Sequence, residues 1–201
     1  MHLVVAGFGM GISLIVAIGA QNAFVLRMAI ARRRVLPVIA VCAISDAILI
    51  TAGIAGISTL LDHAPGAVTV IRWAGAAFLI VYGLMAARRA LHPSALAAAP
   101  GGAVTIGAAL ATCLALTWLN PHTYLDTVLM LGSVANHYGD PGRWLFGVGA
   151  IAASAVWFAA LGYGARHLQR WFAKPNAWRI LDGGVAVLML GLGAGLVTAS
   201  T

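Results

Sequence analysis

Long, nearly uncharged stretches of apolar residues constrain this chain more than any other feature of its sequence. A helix needs roughly 20 mostly apolar residues to cross a bilayer, because about 30 Å of hydrocarbon is crossed at about 1.5 Å per residue. Hydrophobic residues make up 62% of the chain and charged residues only 8%, which is too few for a water-facing surface. Soluble enzymes, disordered tails and disulfide-rich secreted domains are therefore excluded. The sequence predicts an all-α integral membrane protein with one transmembrane domain over residues 1–201.

Six stretches are long and apolar enough to cross the membrane. The first lacks a basic segment before it and is followed by further apolar sequence, so it is interpreted as a retained helix and not as a signal peptide. The six predicted spans, numbered one to six, are residues 3–27, 35–60, 67–87, 104–133, 144–165 and 180–199.

The basic residues predict the orientation of these spans. Only Arg72 and Arg143 border loops two and four, whereas the other ten of the 12 basic residues follow spans one, three and five. Cytoplasmic loops carry the excess of Lys and Arg, so loops one, three and five are predicted in the cytoplasm and both termini outside. A net charge of +7 would suit a nucleic-acid partner, but these charges lie at helix ends and not on one face, so none is expected. The ten are Arg27, Arg32, Arg33, Arg34, Arg88, Arg89, Arg166, Arg170, Lys174 and Arg179.

A weak internal repeat relates the two halves, residues 1–95 and 104–201. Ser45 and Gly53 in span two recur 109 positions later as Ser154 and Gly162 in span five. Three spans per half would turn the second copy upside down, which predicts a 3+3 inverted repeat with a central site as in many transporters. The alternative is that helices rich in small residues resemble one another by chance. The remaining matches are Ala43 with Ala152, and Gly75, Gly83 and Leu84 with Gly183, Gly191 and Leu192.

Polar residues interrupt spans one and four. Span one contains Gly19-Ala20-Gln21-Asn22, and span four contains Asn120-Pro121-His122. Proline removes a backbone donor and clashes with the preceding turn, which frees carbonyl groups that membranes tolerate only beside protein or a water-lined cavity. We therefore predict that helices one and four are broken near the midplane around a polar cavity. An ordinary proline kink is the alternative for span four.

Three acids lie inside the predicted spans, and two of them are far from the span ends. Asp46 has no basic residue within a helical turn, and an unpaired Asp at the centre of a helix costs about 2.5–3.5 kcal/mol on insertion scales. Its burial favours the protonated form, and exchange of that proton for a cationic solute would couple transport to a proton gradient. Asp126 has His122 four residues earlier and is the second candidate for proton coupling, with a mutually satisfied pair as the alternative. Asp182 is interpreted as a residue in the first turn of span six, paired locally with Arg179.

The remaining features predict no cofactor and no metal site. Cys42 and Cys113 lie in apolar runs without metal-ligand spacing, and no set of His and Cys ligands accompanies His122. The spacings Gly7-x3-Gly11 and Gly191-x3-Gly195 favour close helix packing within the chain, with a homodimer interface as the alternative.

Three segments carry a family resemblance over essentially the whole chain. They are Gly19-Ala20-Gln21-Asn22-Ala23-Phe24-Val25-Leu26-Arg27, the pair Ser45-Asp46, and Thr117-Trp118-Leu119-Asn120-Pro121-His122-Thr123-Tyr124-Leu125-Asp126-Thr127. In this order they resemble the lysine/arginine exporters of bacterial inner membranes. The Gly-Ala-Gln-Asn run favours the branch for basic amino acids over the homoserine/threonine branch.

The resemblance implies a multi-pass transporter of the bacterial inner membrane, and not an enzyme, that exports arginine or lysine. The alternatives are export of a neutral amino acid or a metal cation on the same fold, and a non-transporting membrane subunit or intramembrane enzyme. The candidate substrate-binding residues are Gln21, Asn22, Asp46, Asn120, Pro121, His122, Tyr124 and Asp126.

Overall fold

The computed structural model describes residues 1–16, 20–30, 35–56, 65–91, 105–120, 123–172 and 175–198, and every regular element in these ranges is a helix. In the first half, α1 covers His2–Ile15, α2 covers Ala20–Ile30, α3 covers Val35–Ile54 and α4 covers Pro65–Leu91. In the second half, α5 covers Ile106–Trp118, the π-helix α6 covers Tyr124–Leu131, α7 covers Gly132–Asn136, α8 covers Gly139–Phe172 and α9 covers Pro175–Thr198.

Four of the described helices are long and apolar enough to cross a membrane. They confirm predicted spans two, three, five and six as apolar helices, whereas α1 with 14 residues and α5 with 13 are too short at about 1.5 Å per residue. The described residues thus confirm an all-helical fold with four helices of membrane-spanning length, and the six-span inverted repeat stays a prediction. The four stretches are Val35–Ile54, Trp73–Leu91, Gly139–Ala165 and Asn176–Thr198.

The helices of spans one and four are interrupted where the sequence predicts it. In span one, α1 ends at Ile15 and α2 begins at Ala20; in span four, α5 ends at Trp118 and α6 begins at Tyr124. Gly19, Pro121 and His122 lie outside the described residues. The last carbonyls of each first helix therefore lack partners within the helix, and other groups have to supply them.

The main contacts between the helices follow a pattern that exchange of the two halves preserves. α1 and α2 pack against α8, whereas α5, α6 and α7 pack against α3. α3 and α8 also contact each other, and α4 packs along α9. Both interruptions therefore lie beside the central pair formed by α3 and α8.

Glycines bring α1 and α8 together backbone to backbone. A Cβ atom at Gly7 would overlap the carbonyl oxygen of Phe146, and one at Gly149 would overlap that of Val4. Helices in lipid associate largely through such close contacts of small residues, because lipid tails offer no hydrophobic driving force. The prediction that Gly7 packs within the chain is confirmed.

The second glycine spacing behaves differently. A Cβ atom added to Gly191 or Gly195 would meet no atom within 4 Å, so the prediction that these glycines pack within the chain is wrong. In the α4–α9 contact the close approaches are made by Gly83 against Leu190 and by Gly193 against Ile80. The spacing Gly191-x3-Gly195 is therefore on the outer face of α9, two residues away from the glycine that packs.

A buried apolar cluster joins the two halves of the chain. It takes at least one fully or nearly fully buried side chain from each of the long helices and from the shorter helices α2 and α5. Representative members are Val25, Val38, Leu79, Leu116, Phe158 and Met189.

Candidate functional site

Asn22 caps the end of α1. Its Nδ2 donates a hydrogen bond to the carbonyl oxygen of Ile15 at 2.7 Å, across the interruption of span one. Its Oδ1 accepts from Nε1 of Trp157 in α8 at 3.3 Å, and the residue is 7% exposed. Since both ends of the amide are engaged, the contacts give Asn22 a structural role at the interruption.

Tyr124 caps the end of α5 in the same manner. Its hydroxyl group donates to the carbonyl oxygen of Trp118 at 2.8 Å, across the interruption of span four. Asn120 contributes its own carbonyl oxygen, which accepts from the backbone N–H of Thr123 at 3.1 Å. Each interruption is thus stabilised by a side chain from the helix that follows it.

Asp46 lies in the contact between α3 and α8. Its Oδ2 accepts a hydrogen bond from the hydroxyl group of Ser154 at 2.7 Å, and the residue is 6% exposed. None of the basic side chains that the structure describes pairs with it. A buried carboxylate with one neutral donor retains acceptor sites for a proton or a cation.

Two tryptophans connect this acid to the interruptions. Nε1 of Trp118, the last residue of α5, donates to the hydroxyl oxygen of Ser45 at 3.2 Å, next to Asp46 in α3. Trp157 lies one turn after Ser154 in α8 and donates to Asn22. We call Asn22, Trp157, Ser154, Asp46, Ser45, Trp118 and Tyr124 the polar network; it runs from one interruption to the other.

The other candidate residues occupy different positions. Gln21 follows the start of α2, and its Nε2 is buried with no hydrogen-bond acceptor among the described residues. Asp126 lies in the π-helix α6, partly buried, and no described side chain bonds to its carboxylate. Its expected pairing with His122, like the role of Pro121, falls outside the described residues.

A cavity of about 340 Å³ extends from Asn22 along α2, α8 and α9. Its walls are apolar apart from the Asn22 side chain and the Trp157 ring nitrogen, and Asp46 is not part of its lining. The volume lies in the range of small-molecule sites. The apolar wall suits the aliphatic part of a long side chain.

The expectation for Asp182 is wrong. α9 begins at Pro175, so Asp182 lies two turns inside the helix, and it is buried with 1% exposure. Its Oδ1 accepts from Arg27 of α2 and from Nε of Arg89 of α4, the latter at 3.1 Å. The predicted partner, Arg179, is exposed at the surface of α9.

The candidate residues predicted from the sequence omit four members of the polar network, which are Ser45, Trp118, Ser154 and Trp157. Ser45 and Trp118 lie in the motifs of the resemblance, and Ser45 and Ser154 are equivalent positions of the repeat, which are the signals that point to them. Trp157 carried no local signal, because its partner Asn22 lies 135 positions away.

Comparisons with known proteins agree with the predicted resemblance. The LysE type translocator family matches residues 12–200. The chain is 39% identical to the lysine exporter LysE of Corynebacterium efficiens, over 98% of this chain and 99% of that protein. It is 42% identical to the arginine exporter protein ArgO of Yersinia enterocolitica, over 88% and 86%. It is 50% identical to a protein of Mycobacterium tuberculosis named as a candidate amino-acid transporter, over 92% of each.

No solved structure matches the chain significantly. The family match spans both interruptions and the central helix pair, and its members are transporters and not enzymes. The resemblance predicted from the three motifs is confirmed: the chain belongs to the LysE-type translocator family.

Proposed function

We propose that this protein exports basic L-amino acids, arginine and/or lysine, from the cytoplasm in exchange for entering protons. The observation that carries the proposal is the buried Asp46 carboxylate, whose described partner is the neutral Ser154 hydroxyl group. Similarity to a lysine exporter and to an arginine exporter supports a cationic cargo.

We assign binding of the cationic end of the cargo to two carboxylates inside the spans. We assign binding of the carboxylate end of the cargo to amide side chains. Asp46 and Asp126 supply negative charge beside the two interruptions. Gln21 supplies a buried N–H donor that lacks an acceptor within the described residues, and an unsatisfied buried donor is costly unless a ligand accepts from it. Asn120 is the corresponding amide of span four. The N-terminus of α2 at Ala20 adds the positive end of a helix dipole for the carboxylate.

Asn22 and Tyr124 hold this site in shape. Because their polar groups cap the ends of α1 and α5, they fix the positions of the neighbouring Gln21 and Asn120 backbones. Their contribution to binding is therefore through positioning. Pro121 and His122 are further candidates for substrate binding and lie outside the described residues.

Energetics favour coupling to protons. Moving one positive charge outward against a negative-inside potential costs about 2.3 kcal/mol per 100 mV. An entering proton for each exported cation cancels that charge movement. Asp46 and Asp126, which accept either a proton or the cargo, are the groups through which the exchange takes place.

The proposed architecture is six spans in a 3+3 inverted repeat in the bacterial inner membrane, with both termini outside. It is supported by the main helix contacts, whose pattern exchange of the halves preserves, and by the matching interruptions. The outward-facing Gly191 and Gly195 leave the outer face of α9 as the candidate homodimer surface.

Counterflow into proteoliposomes tests the function. Vesicles loaded with unlabelled arginine, lysine or alanine and given the same labelled amino acid should accumulate label for arginine or lysine only. Asp46→Asn should reduce this uptake at least about tenfold, the effect of about 1.4 kcal/mol. The matched control is Asp140→Asn, whose carboxylate pairs with Arg143 at the exposed surface.

Unchanged arginine uptake in Asp46→Asn would contradict the assigned site. Uptake of alanine or of a metal cation such as cadmium in place of arginine would contradict the assigned cargo. Proton coupling is tested separately: an imposed pH gradient, acidic on the side opposite to the arginine, should drive net arginine movement, and movement independent of the gradient would refute it.

A further inference from the structure

One ion cluster joins helices from both halves of the chain. Arg27 lies in the last turn of α2 and Arg89 in the last turn of α4, and both donate to the same oxygen of Asp182 in α9. The guanidinium groups also lie against aromatic rings, Arg27 at 5.8 Å from the ring of Trp178 and Arg89 at 5.6 Å from that of Tyr82. Contacts this far apart in sequence tie α2, α4 and α9 together at one end of the bundle.

One oxygen of the Asp182 carboxylate is free to accept a further hydrogen bond within the described residues. Both arginines bond to Oδ1 of Asp182, while Oδ2 is buried and has no hydrogen-bond partner among the described residues. A buried carboxylate needs cationic partners, but an oxygen without a donor accepts a further one readily. Asp182 can therefore bind an incoming cation before either arginine leaves.

The cluster lies beside the cavity that reaches the polar network. Leu26, next to Arg27, and Leu181, next to Asp182, both line the cavity, whose other end is at Asn22. Arg27 and Arg89 belong to the basic residues that follow spans one and three, which the charge distribution assigns to the cytoplasmic side. The cluster is therefore next to residues of the cavity wall, at the end of the bundle that is predicted to face the cytoplasm.

We infer that Arg27, Arg89 and Asp182 form the cytoplasmic latch of this transporter, and that the positive side chain of the cargo opens it by replacing an arginine on Asp182. The inference rests on the proposed export function. Replacement of one cation by another leaves the buried carboxylate paired, so a cationic cargo opens the latch at little cost. A neutral amino acid has no cationic side chain for this exchange and would leave Asp182 with one cationic partner fewer, so the latch selects for side-chain charge before the cargo reaches Asp46.

A buried alanine reports whether the latch is closed. Ala86 is fully buried in α4, on the same face as Tyr82 and Arg89. In the Ala86→Cys variant, a membrane-impermeant methanethiosulfonate reagent applied to the cytoplasmic face of inside-out vesicles should react slowly. The unsubstituted protein supplies the background from Cys42 and Cys113, which are both buried.

Breaking the latch should expose this position. Arg89→Gln added to Ala86→Cys should raise the labelling rate about tenfold, because loss of one partner of a buried ion pair shifts the equilibrium by at least that factor. The matched control is Arg88→Gln, which removes the same charge from the neighbouring exposed residue and should leave the rate unchanged. Arg89→Lys, which keeps the charge, should restore most of the protection.

If Ala86→Cys is labelled at the same rate with Arg89→Gln as with Arg88→Gln, the latch is refuted. If Arg89→Gln then lowers only the melting temperature, the ion cluster stabilises the fold and does not close the cytoplasmic end. Faster labelling from the opposite face of the membrane would overturn its cytoplasmic position.

The cargo itself supplies a test that needs no destabilising variant. With Arg89 and Asp182 intact, arginine or lysine should raise the labelling rate of Ala86→Cys several-fold. The increase is limited by how much more tightly the amino acid binds the open state than the closed state. Alanine should not change the labelling rate. Asp182→Asn should remove this difference between cationic and neutral amino acids. If alanine raises the labelling rate of Ala86→Cys as much as arginine does, the exchange on Asp182 is refuted. This test remains valid even if Arg89→Gln does not fold.

The two proposals fail in different ways. If the unsubstituted protein does not transport arginine or lysine, the proposed function is wrong, and the comparison of Arg89→Gln with Arg88→Gln still decides whether the cluster closes that end. If arginine is transported but Arg89→Gln does not expose Ala86→Cys, the latch is wrong and the function stands.

Discussion

The hydroxyl group of Tyr124 offers the cleanest test of how the interruptions are stabilised. Tyr124→Phe removes one oxygen atom and keeps the ring, so it deletes the donor to the Trp118 carbonyl oxygen without opening a large cavity. That carbonyl belongs to the last residue of α5 and has no partner within the helix. The substitution therefore leaves an acceptor unsatisfied inside the bundle.

The expected cost follows from the contact. Loss of a neutral hydrogen bond that leaves the buried acceptor without a donor costs about 1–3 kcal/mol. Hydrogen bonds between membrane helices have energies near the lower end of this range. Taking about 1–2 kcal/mol, and about 2–4 °C per kcal/mol for a chain of this size, the melting temperature should fall by about 2–8 °C. Tryptophan fluorescence during heating of the detergent-solubilised protein measures this fall.

The control for Tyr124→Phe is Tyr163→Phe. Tyr163 is exposed with 52% of its surface accessible, so loss of its hydroxyl group should leave the melting temperature within about 1 °C. Hydrogen exchange of the last backbone amides of α5 should become faster in Tyr124→Phe alone. Equal melting temperatures and equal exchange in the two variants would refute the capping role of Tyr124.

Three further substitutions test other contacts. Gly7→Ala should destabilise the protein by about 1–3 kcal/mol in thermal melting, because its side chain meets the backbone of α8, whereas Gly9→Ala has open space and should be neutral or slightly stabilising. Ser154→Ala removes the hydrogen-bond donor to Asp46 and should lower arginine counterflow about tenfold. A hydrogen bond to a charged group contributes about 1.5 kcal/mol, which corresponds to that factor. Arginine uptake equal to that of Gly9→Ala would contradict this expectation. Arg143→Gln breaks an exposed ion pair and should change the free energy of unfolding by less than about 1 kcal/mol, and a larger loss in denaturation would show that the pair is more than a surface contact.

The sequence was sufficient for features that depend on nearby residues. The interruptions at 15–20 and 118–124 were predictable because glycine, proline and amide side chains weaken a helix locally. The burial of Asp46 was predictable because a carboxylate inside an apolar span has to face protein and not lipid.

Features that depend on distant residues were not predictable. Asp182 has partners 155 and 93 positions away, so its sequence neighbourhood indicated a local pair with Arg179 instead. Cys42 and Cys113, 71 positions apart, meet with their sulfur atoms 2.8 Å from each other in the contact between α3 and α5. In a chain with so little polar sequence, long-range partners carry no compositional signal before the helices are packed.

The π-helical winding of Tyr124–Leu131 has a mechanical consequence for the second interruption. A coil with a surplus residue in each turn is wider and shorter than an ordinary α-helix of the same sequence. Rewinding it to the tighter form would lengthen the segment and rotate Asp126 about the axis while every peptide group keeps a partner. The winding of this segment therefore sets the angle at which the Asp126 side chain leaves the helix axis, and a change of winding would change that angle.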